Sequence, residues 1–435
     1  MDGAIIQWNC RGLKHKLDEI KLFIREHNPI AICLQETFLT KSNNLSLKNY
    51  TLYSFDARDT QGRPSGGTCI LVRKDISHSE VKLQTNLQAV AVKLALHRAV
   101  TLCSIYLPPS LRLNITDLED LSRQLPGPYA LLGDFNAHNI LWGCADFNHK
   151  GQILEDFIDK QDLCLLNDKS KTYIHPATGS SSAIDLFLCD PLLYLDFSWK
   201  VGDDLCGSDH FPILITVNNF TPPQRESRWK LHKADWSKFK LLCENRITGD
   251  SLKDSADPIE QFNCILTSIA EECIPKSSTK FRRPHLPWFN EDCKNAILQR
   301  RKALKIFNRN PTRDNLFKYK NLQAKARRVI RRAKRNSWRE YVSQLNSRTP
   351  IKQTWNIIRK ISGKQQSSPL KFLNSNNGDK ATTPKEIANT LGETFQNNSS
   401  SQHYTPTFQK YKKRKRNINL ISNRKTKNRT IALSA

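Results

Sequence analysis

Short apolar segments separated by turn-forming residues dominate the first half of the chain. They are rich in Val, Ile, Leu and aromatic side chains, which is typical of β-strands. The predicted strands are Ala4–Trp8, Ile30–Leu34, Thr68–Val72, Ala89–Leu96, Val100–Tyr106, Ala130–Leu132, Ala183–Cys189 and Phe211–Val217. Helices are predicted at Lys14–His27, Thr116–Leu125 and Gly151–Gln161, the second with Thr116 as N-cap and Glu119 completing a capping box. Many strands with few helices predict packed sheets with helices outside.

The pattern changes after Val217. Residues 229–275 are weakly helical, whereas Phe289–Asn308 and Thr312–Leu345 predict two long basic helices with apolar residues at helical spacing. Residues 362–402 are rich in Ser, Asn and Gln and are expected to be mobile. We therefore predict a folded domain, a linker with weak helices, a basic helical region and a largely disordered basic tail, at 1–218, 219–288, 289–361 and 362–435.

Charge divides the chain in the same place. Residues 1–220 carry 21 Lys and Arg against 25 Asp and Glu, a formal charge of −4, and residues 221–435 carry 47 against 16, a formal charge of +31, which together give the net charge of +27. This asymmetry favours a folded module joined to a nucleic-acid-binding segment, with an acidic membrane surface as the alternative. No spanning helix or secretory signal is predicted. The 12 Cys residues are scattered singly, which indicates a reducing compartment, no disulfides and no zinc site.

Polar residues suited to catalysis fall at or near the ends of the predicted strands. They are Asn9, Glu36, Tyr106, Asp134, Asn136, Asp185, Asp209 and His210. Carboxylate and amide oxygens suit Mg²⁺ or Mn²⁺, and a His with a carboxylate partner can act as a base or stabilise charge. This chemistry fits phosphodiester hydrolysis. Each residue alone is as easily a turn, cap or packing residue, and only the ordered set is specific.

That ordered set resembles the endonuclease/exonuclease/phosphatase superfamily, which includes DNase-I-like nucleases, from Ile5 to about Val217. Two segments are similar to the endonuclease domain of jockey-type non-LTR retrotransposons. The first is Gly133-Asp134-Phe135-Asn136-Ala137-His138 with Leu141-Trp142-Gly143, and the second is Ala183-Ile184-Asp185-Leu186 with Gly207-Ser208-Asp209-His210. The resemblance implies an α/β (α+β) fold, a four-layer α/β/β/α sandwich of two mixed sheets, followed here by a mostly α-helical basic region.

The resemblance also implies roles for the site residues. Asn9, Glu36 and Asp209 would hold the metal, and Tyr106 and Asn136 would contact the phosphate. Asp134 would position or activate the attacking water, and Asp185 would orient His210, which would stabilise the transition state or act as base. Ser208 would be a supporting residue. Apurinic endonucleases carry a carboxylate where this chain has Arg11, which disfavours abasic-site repair.

The basic half resembles the linker that joins the nuclease to a reverse transcriptase in such elements. The polymerase signature, an aromatic residue, any residue and Asp-Asp, is missing, since Asp203–Asp204 is the only Asp-Asp and lies in the first half. A truncated or frameshifted copy is therefore expected. The Thr312–Leu345 helix either docks its apolar stripe on a missing domain or binds DNA or element RNA, two compatible interpretations. The Lys410–Arg416 run resembles a nuclear localisation signal, with a disordered tail as the alternative.

The sequence thus predicts a Mg²⁺-dependent DNA endonuclease that nicks chromosomal DNA to prime reverse transcription. A phosphatase of the same superfamily and an inert nucleic-acid-binding relic are the alternatives. The first alternative is disfavoured by the polycationic second half, and the second by the presence of every candidate catalytic residue.

Overall fold

The computed structural model describes residues 3–40, 45–222, 227–248, 257–278 and 284–345, with short segments at 351, 354–355, 373–374, 380–381, 384–399 and 405–410. The chain divides into two compact units, Met1–Gln365 and Gln366–Ala435. The first contains both the sheets and the basic helices.

Two six-stranded mixed sheets form the first unit. One has the strand order β13-β14-β1-β2-β4-β3, and only its β1–β2 pair is parallel. Its strands are β1 Gly3–Asn9, β2 Ala31–Gln35, β3 Tyr50–Phe55, β4 Thr68–Arg73, β13 Phe197–Val201 and β14 Ile213–Val217. The other has the order β5-β6-β7-β8-β12-β9, and only its β7–β8 pair is parallel. Its strands are β5 His78–Val81, β6 Gln88–Ala95, β7 Ala99–Tyr106, β8 Tyr129–Asp134, β9 Cys164–Leu165 and β12 Asp185–Cys189. A small hairpin joins β10 Tyr173–Ile174 to β11 Ser181–Ser182.

The two sheets pack face to face with helices on both outer faces. The apolar core between them draws on both sheets and includes Ile5, Val72, Ile215, Val92, Leu102 and Leu132. Helix α1 Leu13–His27 buries Ile20 and Phe23 on the outer face of the first sheet. Helices α2 Ile115–Arg123 and α3 His149–Lys160 cover the second sheet. The predicted four-layer α/β/β/α sandwich is confirmed.

All eight predicted strands and all three helices of this region are present, with ends shifted by one or two residues in most cases. The predicted N-cap Thr116 of α2 is wrong, because Thr116 already lies inside a helix that begins at Ile115. Asn114 is the cap, and its backbone N–H donates to the Asp117 carboxylate at 3.0 Å. Strands β3, β5, β9 and β13 of the two sheets are absent from the prediction, since their residues are partly exposed and the segments are short or lack a continuous apolar run.

Helices follow the sandwich within the same unit. They are α4 Trp236–Arg246, α5 Pro258–Cys273, α6 Glu291–Arg309 and α7 Arg313–Ser343. Thr312 caps α7 by accepting a hydrogen bond from the Asn315 N–H. Helices α6 and α7 form a hairpin that packs its apolar side against the sandwich. The expectation that this stripe docks on a missing domain therefore needs correction, because its partner is the first half of the same chain.

The second unit contains β15 Leu373–Asn374, β16 Lys380–Ala381 and α8 Pro384–Ser399. The helix falls inside the segment that was expected to be mobile. Apart from Lys410, the run 410–416 lies outside the described residues. Among the helices described, none is both long and apolar enough to cross a membrane.

Candidate active site

Asn9 stands at the centre of the polar cluster at one edge of the sandwich. It ends β1, whose parallel neighbour β2 places Glu36 at the same edge. Asn9 Nδ2 donates to Glu36 Oε1 at 3.1 Å and to Asp134 Oδ2 at 2.8 Å, joining residues from both sheets. Asn9 and Asp134 are almost completely buried, so these bonds replace the water that the groups lose on folding. The amide therefore fixes the spacing between two carboxylates.

Glu36 and Tyr106 meet on the far side of Asn9. Glu36 has a φ of 47°, an uncommon left-handed conformation for a residue with a side chain. Tyr106 ends β7, and its hydroxyl donates to Glu36 Oε1 at 3.0 Å. Burial and the neighbouring Glu36 carboxylate raise the pKa of Tyr106 above its usual value, so the phenol remains a hydrogen-bond donor.

Asp134, Asp185 and His210 form a buried triad beside Asn9. Antiparallel pairing of β8 with β12 places Asp134 opposite Asp185. His210 Nδ1 lies 2.8 Å from Asp185 Oδ2, and His210 Nε2 lies 3.7 Å from Asp134 Oδ2. One His nitrogen is thereby oriented by Asp185, and the other faces Asp134.

The electrostatics of the triad favour protons on His210 and Asp134. Burial lowers the pKa of His210, but the Asp185 and Asp134 carboxylates outweigh that effect and raise it to about 10. Burial raises the pKa of Asp134 to about 7, with Asp185 adding to the shift and His210 opposing it. The imidazole is therefore charged at neutral pH, and Asp134 can bind or release a proton there.

Several contacts fix the position of His210. Trp8 Nε1 donates to the His210 carbonyl at 3.0 Å, and Ser208 Oγ donates to the Asn9 carbonyl at 2.8 Å. The Tyr173 ring packs on the imidazole with a centroid separation of 4.7 Å. Sequence reasoning missed Tyr173 because β10 is only two residues long and carries no recognisable motif.

Asp209 and Asn136 lie on the outer side of the cluster. Asp209 Oδ2 pairs with Arg11 at 2.6 Å, and the Arg11 side chain is 56% exposed. Asn136 has a φ of 47°, its N–H donates to Asp134 Oδ1 at 3.0 Å, and its Nδ2 donates to the Leu107 carbonyl at 3.1 Å. The Gly133-Asp134-Phe135-Asn136 turn requires glycine at its first position, because a Cβ at Gly133 would lie 1.8 Å from the Ile105 carbonyl oxygen.

The donor set fits a divalent cation. Asp134, Asp185 and His210 each present a ligand atom within 4.8 Å of the others. Asp185 Oδ1 is buried without a hydrogen-bond partner, so it has unused acceptor capacity. The predicted ligands Asn9 and Glu36 contact this triad directly or through one residue. The carboxylate and amide oxygens of this set suit Mg²⁺ or Mn²⁺, whereas the protonated His210 imidazole cannot act as a ligand.

Comparisons with known proteins find similar sequences over part of this chain. Residues 100–214 match the family described as endonuclease-reverse transcriptase. The chain is 27% identical over 244 residues to the RNA-directed DNA polymerase from mobile element jockey of Drosophila melanogaster, a match covering 54% of this chain and 26% of that protein. It is 26% identical over 276 residues to the probable RNA-directed DNA polymerase from transposon X-element of the same organism, covering 62% of this chain and 30% of that protein.

Solved structures of similar proteins cover the same half of the chain. The endonuclease domain of TRAS1, a telomere-specific non-LTR retrotransposon, aligns with a TM-score of 0.43 and 20% identity over 50% of this chain and 98% of that domain. The 3′-5′ exonuclease NExo from Neisseria meningitidis aligns with a TM-score of 0.40 and 16% identity over 49% and 99%. Residues 100–214 are thus similar to the endonuclease-reverse transcriptase family, and the chain, which spans less than a third of the length of these two relatives, is similar to jockey-type RNA-directed DNA polymerases.

Proposed function

We propose that this chain is a divalent-metal-dependent endonuclease that nicks DNA, as the target-site nuclease of a non-LTR retrotransposon. The observation that supports it best is the chain of contacts from Glu36 through Asn9 and Asp134 to the His210–Asp185 pair. These contacts connect the residues proposed to bind the cation, Glu36 and Asn9, with those proposed to transfer protons, Asp134 and His210.

Glu36, Asn9 and Asp209 are the residues proposed to hold Mg²⁺ or Mn²⁺, with Asp134 and Asp185 close enough to contribute. A bound cation supplies neutralisation of the scissile phosphate and stabilises the leaving oxygen. Asp209 already faces the Arg11 guanidinium, so its carboxylate is held at the rim by a positive charge.

The proton chemistry belongs to His210 and Asp134. Asp185 holds Nδ1 of a charged imidazole, which leaves the Nε2 proton available to stabilise negative charge on the phosphate. Asp134, with a pKa raised to about 7, accepts a proton from the attacking water. The Tyr106 hydroxyl and the Asn136 amide are the proposed phosphate contacts, since both lie beside Asp134 or its partners.

The second half supports nucleic acid as the partner. Five arginines line one exposed face of α7, here called the arginine ridge, namely Arg327, Arg328, Arg331, Arg332 and Arg335. Clustered guanidinium groups bind phosphates and release counterions. We propose that the ridge contacts the DNA outside the pocket, with element RNA as a further ligand of the basic helices and the nucleus as the place of action.

The direct test is incubation of the full chain with supercoiled plasmid in Mg²⁺ or Mn²⁺ and then in EDTA. Metal-dependent conversion to open circles supports the proposal. A folded chain that binds DNA but never nicks would favour the inert binding protein. Release of phosphate from phosphoinositides or nucleotides, without nicking, would favour the phosphatase.

A further inference from the structure

The loop at residues 202–212, between β13 and β14, carries Ser208, Asp209 and His210 into the site. It contains two left-handed residues, Cys206 with a φ of 52° and Gly207 with a φ of 81°. The left-handed conformation costs energy at Cys206, which has a side chain, and persists when the surroundings hold it. The surroundings of this loop include the α6–α7 hairpin, which the sequence suggested was only a basic linker.

An apolar contact joins the hairpin to both sides of the site residues. Leu205 precedes Ser208, Phe211 follows His210, and both belong to one buried apolar cluster with Phe307, Leu304, Leu316 and Tyr319 of the hairpin. Phe307 also lies beside Gly179, in the loop between β10 and β11. Ile174 belongs to the same cluster, and its N–H donates to the Asp209 carbonyl at 2.9 Å. The hairpin therefore packs against both the 202–212 loop and β10, the strand that carries Tyr173.

A buried ion cluster adds a polar contact to the same loop. Arg300 of α6 is 3% exposed, and its Nε and one Nη lie 3.0 Å and 2.6 Å from Asp204 Oδ2. Its other Nη donates to Glu19 of α1 at 3.0 Å. The second Asp204 oxygen accepts the Cys206 N–H at 3.3 Å, at the left-handed turn itself. One guanidinium thus links the hairpin, α1 and the loop backbone.

Resting on the proposed function, we propose that the hairpin is an integral part of the nuclease site and that Arg300 and Phe307 are positioning residues for His210 and Asp209. Arg300 pairs with Asp204 and Glu19, and Phe307 belongs to an apolar cluster that contains none of the triad residues. Both act through the 202–212 loop, whose shape fixes where the imidazole and the Asp209 carboxylate stand. Small displacements of such groups lower the rate of the chemical step more than the binding of substrate.

A second docking contact of the hairpin provides a matched control. Ile297 of α6 and Ile330 of α7 pack against Leu22 of α1, away from the loop. Truncation there weakens the attachment of the hairpin without touching residues 202–212. A purely structural role predicts the same behaviour for both contacts, whereas a positioning role predicts a difference.

The test uses the full chain carrying Arg300→Met, Arg300→Lys, Phe307→Leu or Ile297→Ala, at a temperature where melting curves show each protein folded. We expect Phe307→Leu and Arg300→Met to lower kcat for plasmid nicking by about ten- to a hundredfold with KM within about twofold. Arg300→Lys should recover part of the loss, and Ile297→Ala should stay within about twofold of wild type. Phe307→Leu decides the question if Arg300→Met does not fold.

Hydrogen exchange of the peptide covering 203–211 gives a readout that does not need activity. Faster exchange in the Phe307→Leu protein, and unchanged exchange in the Ile297→Ala protein, is the expected result. Equal exchange and equal kcat in the two proteins would overturn the inference. A wild-type chain that does not nick would defeat the proposed function, and the exchange comparison would still decide the role of the hairpin.

Discussion

The Asp185 carboxylate and the His210 imidazole form a buried hydrogen bond of 2.8 Å between a strand of the second sheet and a loop that leads into the first. Asp185 lies opposite Asp134 in the β8–β12 pair, so the position of the imidazole is set by the register of that sheet. The His210 carbonyl is held from the other sheet by Trp8. The sandwich thereby fixes both the ring and the backbone of one residue.

Replacing Asp185 tests whether this bond orients the imidazole. Asp185→Asn keeps the size of the side chain but removes the charge that favours a protonated His210, so we expect kcat for nicking to fall by at least about 10²-fold. DNA affinity, measured by fluorescence anisotropy, should stay within about threefold because the ridge is unchanged. Wild-type kcat in a folded Asp185→Asn protein would exclude the proposed role.

Rescue of activity by Mn²⁺ distinguishes the proposed metal ligand Glu36 from the proposed proton-transfer residue His210. Glu36→Ala should abolish nicking in Mg²⁺ and regain a trace in high Mn²⁺, because a carboxylate ligand is lost while His210 and Asp134 remain. His210→Ala retains the carboxylates, so no concentration of Mn²⁺ should restore it. The measurement is initial nicking rate against Mn²⁺ concentration for both proteins. Similar rescue of both would show that the roles are assigned wrongly.

Neutralising the arginine ridge should weaken DNA binding without affecting chemistry. For the triple variant Arg328→Gln, Arg331→Gln and Arg335→Gln, we expect the slope of log affinity against log salt to become shallower by up to about 3. The kcat at saturating DNA should not change. Lys302→Gln with Lys305→Gln on α6 is the control, since both are exposed basic residues away from the ridge. An equal decrease of this slope in the control would indicate that the ridge contributes only nonspecific positive charge to DNA binding.

The Trp8 indole should contribute to stability as well as to the site. Trp8 is fully buried, and Trp8→Phe leaves the His210 carbonyl without its donor and opens a small cavity. We expect a loss of about 1–3 kcal/mol in the free energy of unfolding, measured in urea. Trp142→Phe is matched to it, because Trp142 is also fully buried and donates to the Ala137 carbonyl at 3.0 Å. An unchanged midpoint of urea unfolding for Trp8→Phe would show that the Trp8 indole does not stabilise the fold.

The sandwich could be predicted from sequence because its buried strands carry dense apolar runs, and the site residues could be named because they follow those runs. Edge strands such as Phe197–Val201 could not, since alternate residues face solvent and the pattern is weak. The sequence marked Asp203–Asp204 only as lacking the polymerase pattern. In the structure Asp204 is 1% exposed and bound by Arg300, a partner 96 residues away that no local pattern can reveal.

The docking surface of the hairpin could not be predicted from sequence for the same reason. Apolar residues on α6 and α7 predict a buried face, but their periodicity does not indicate which surface covers it. The structure places that face against Leu205, Phe211 and Leu22 of the sandwich. A fragment ending near Asn218 would therefore expose these residues and remove the Arg300 cation from Asp204.

The most direct test of the central claim is single-turnover nicking of supercoiled plasmid by the wild-type chain and by His210→Ala, with Mg²⁺ and with EDTA. The account predicts metal-dependent nicking by wild type, none in EDTA, and a rate at least about 10²-fold lower for a folded His210→Ala protein with unchanged DNA affinity. Equal rates for the two proteins in Mg²⁺, or nicking that survives EDTA, would contradict it.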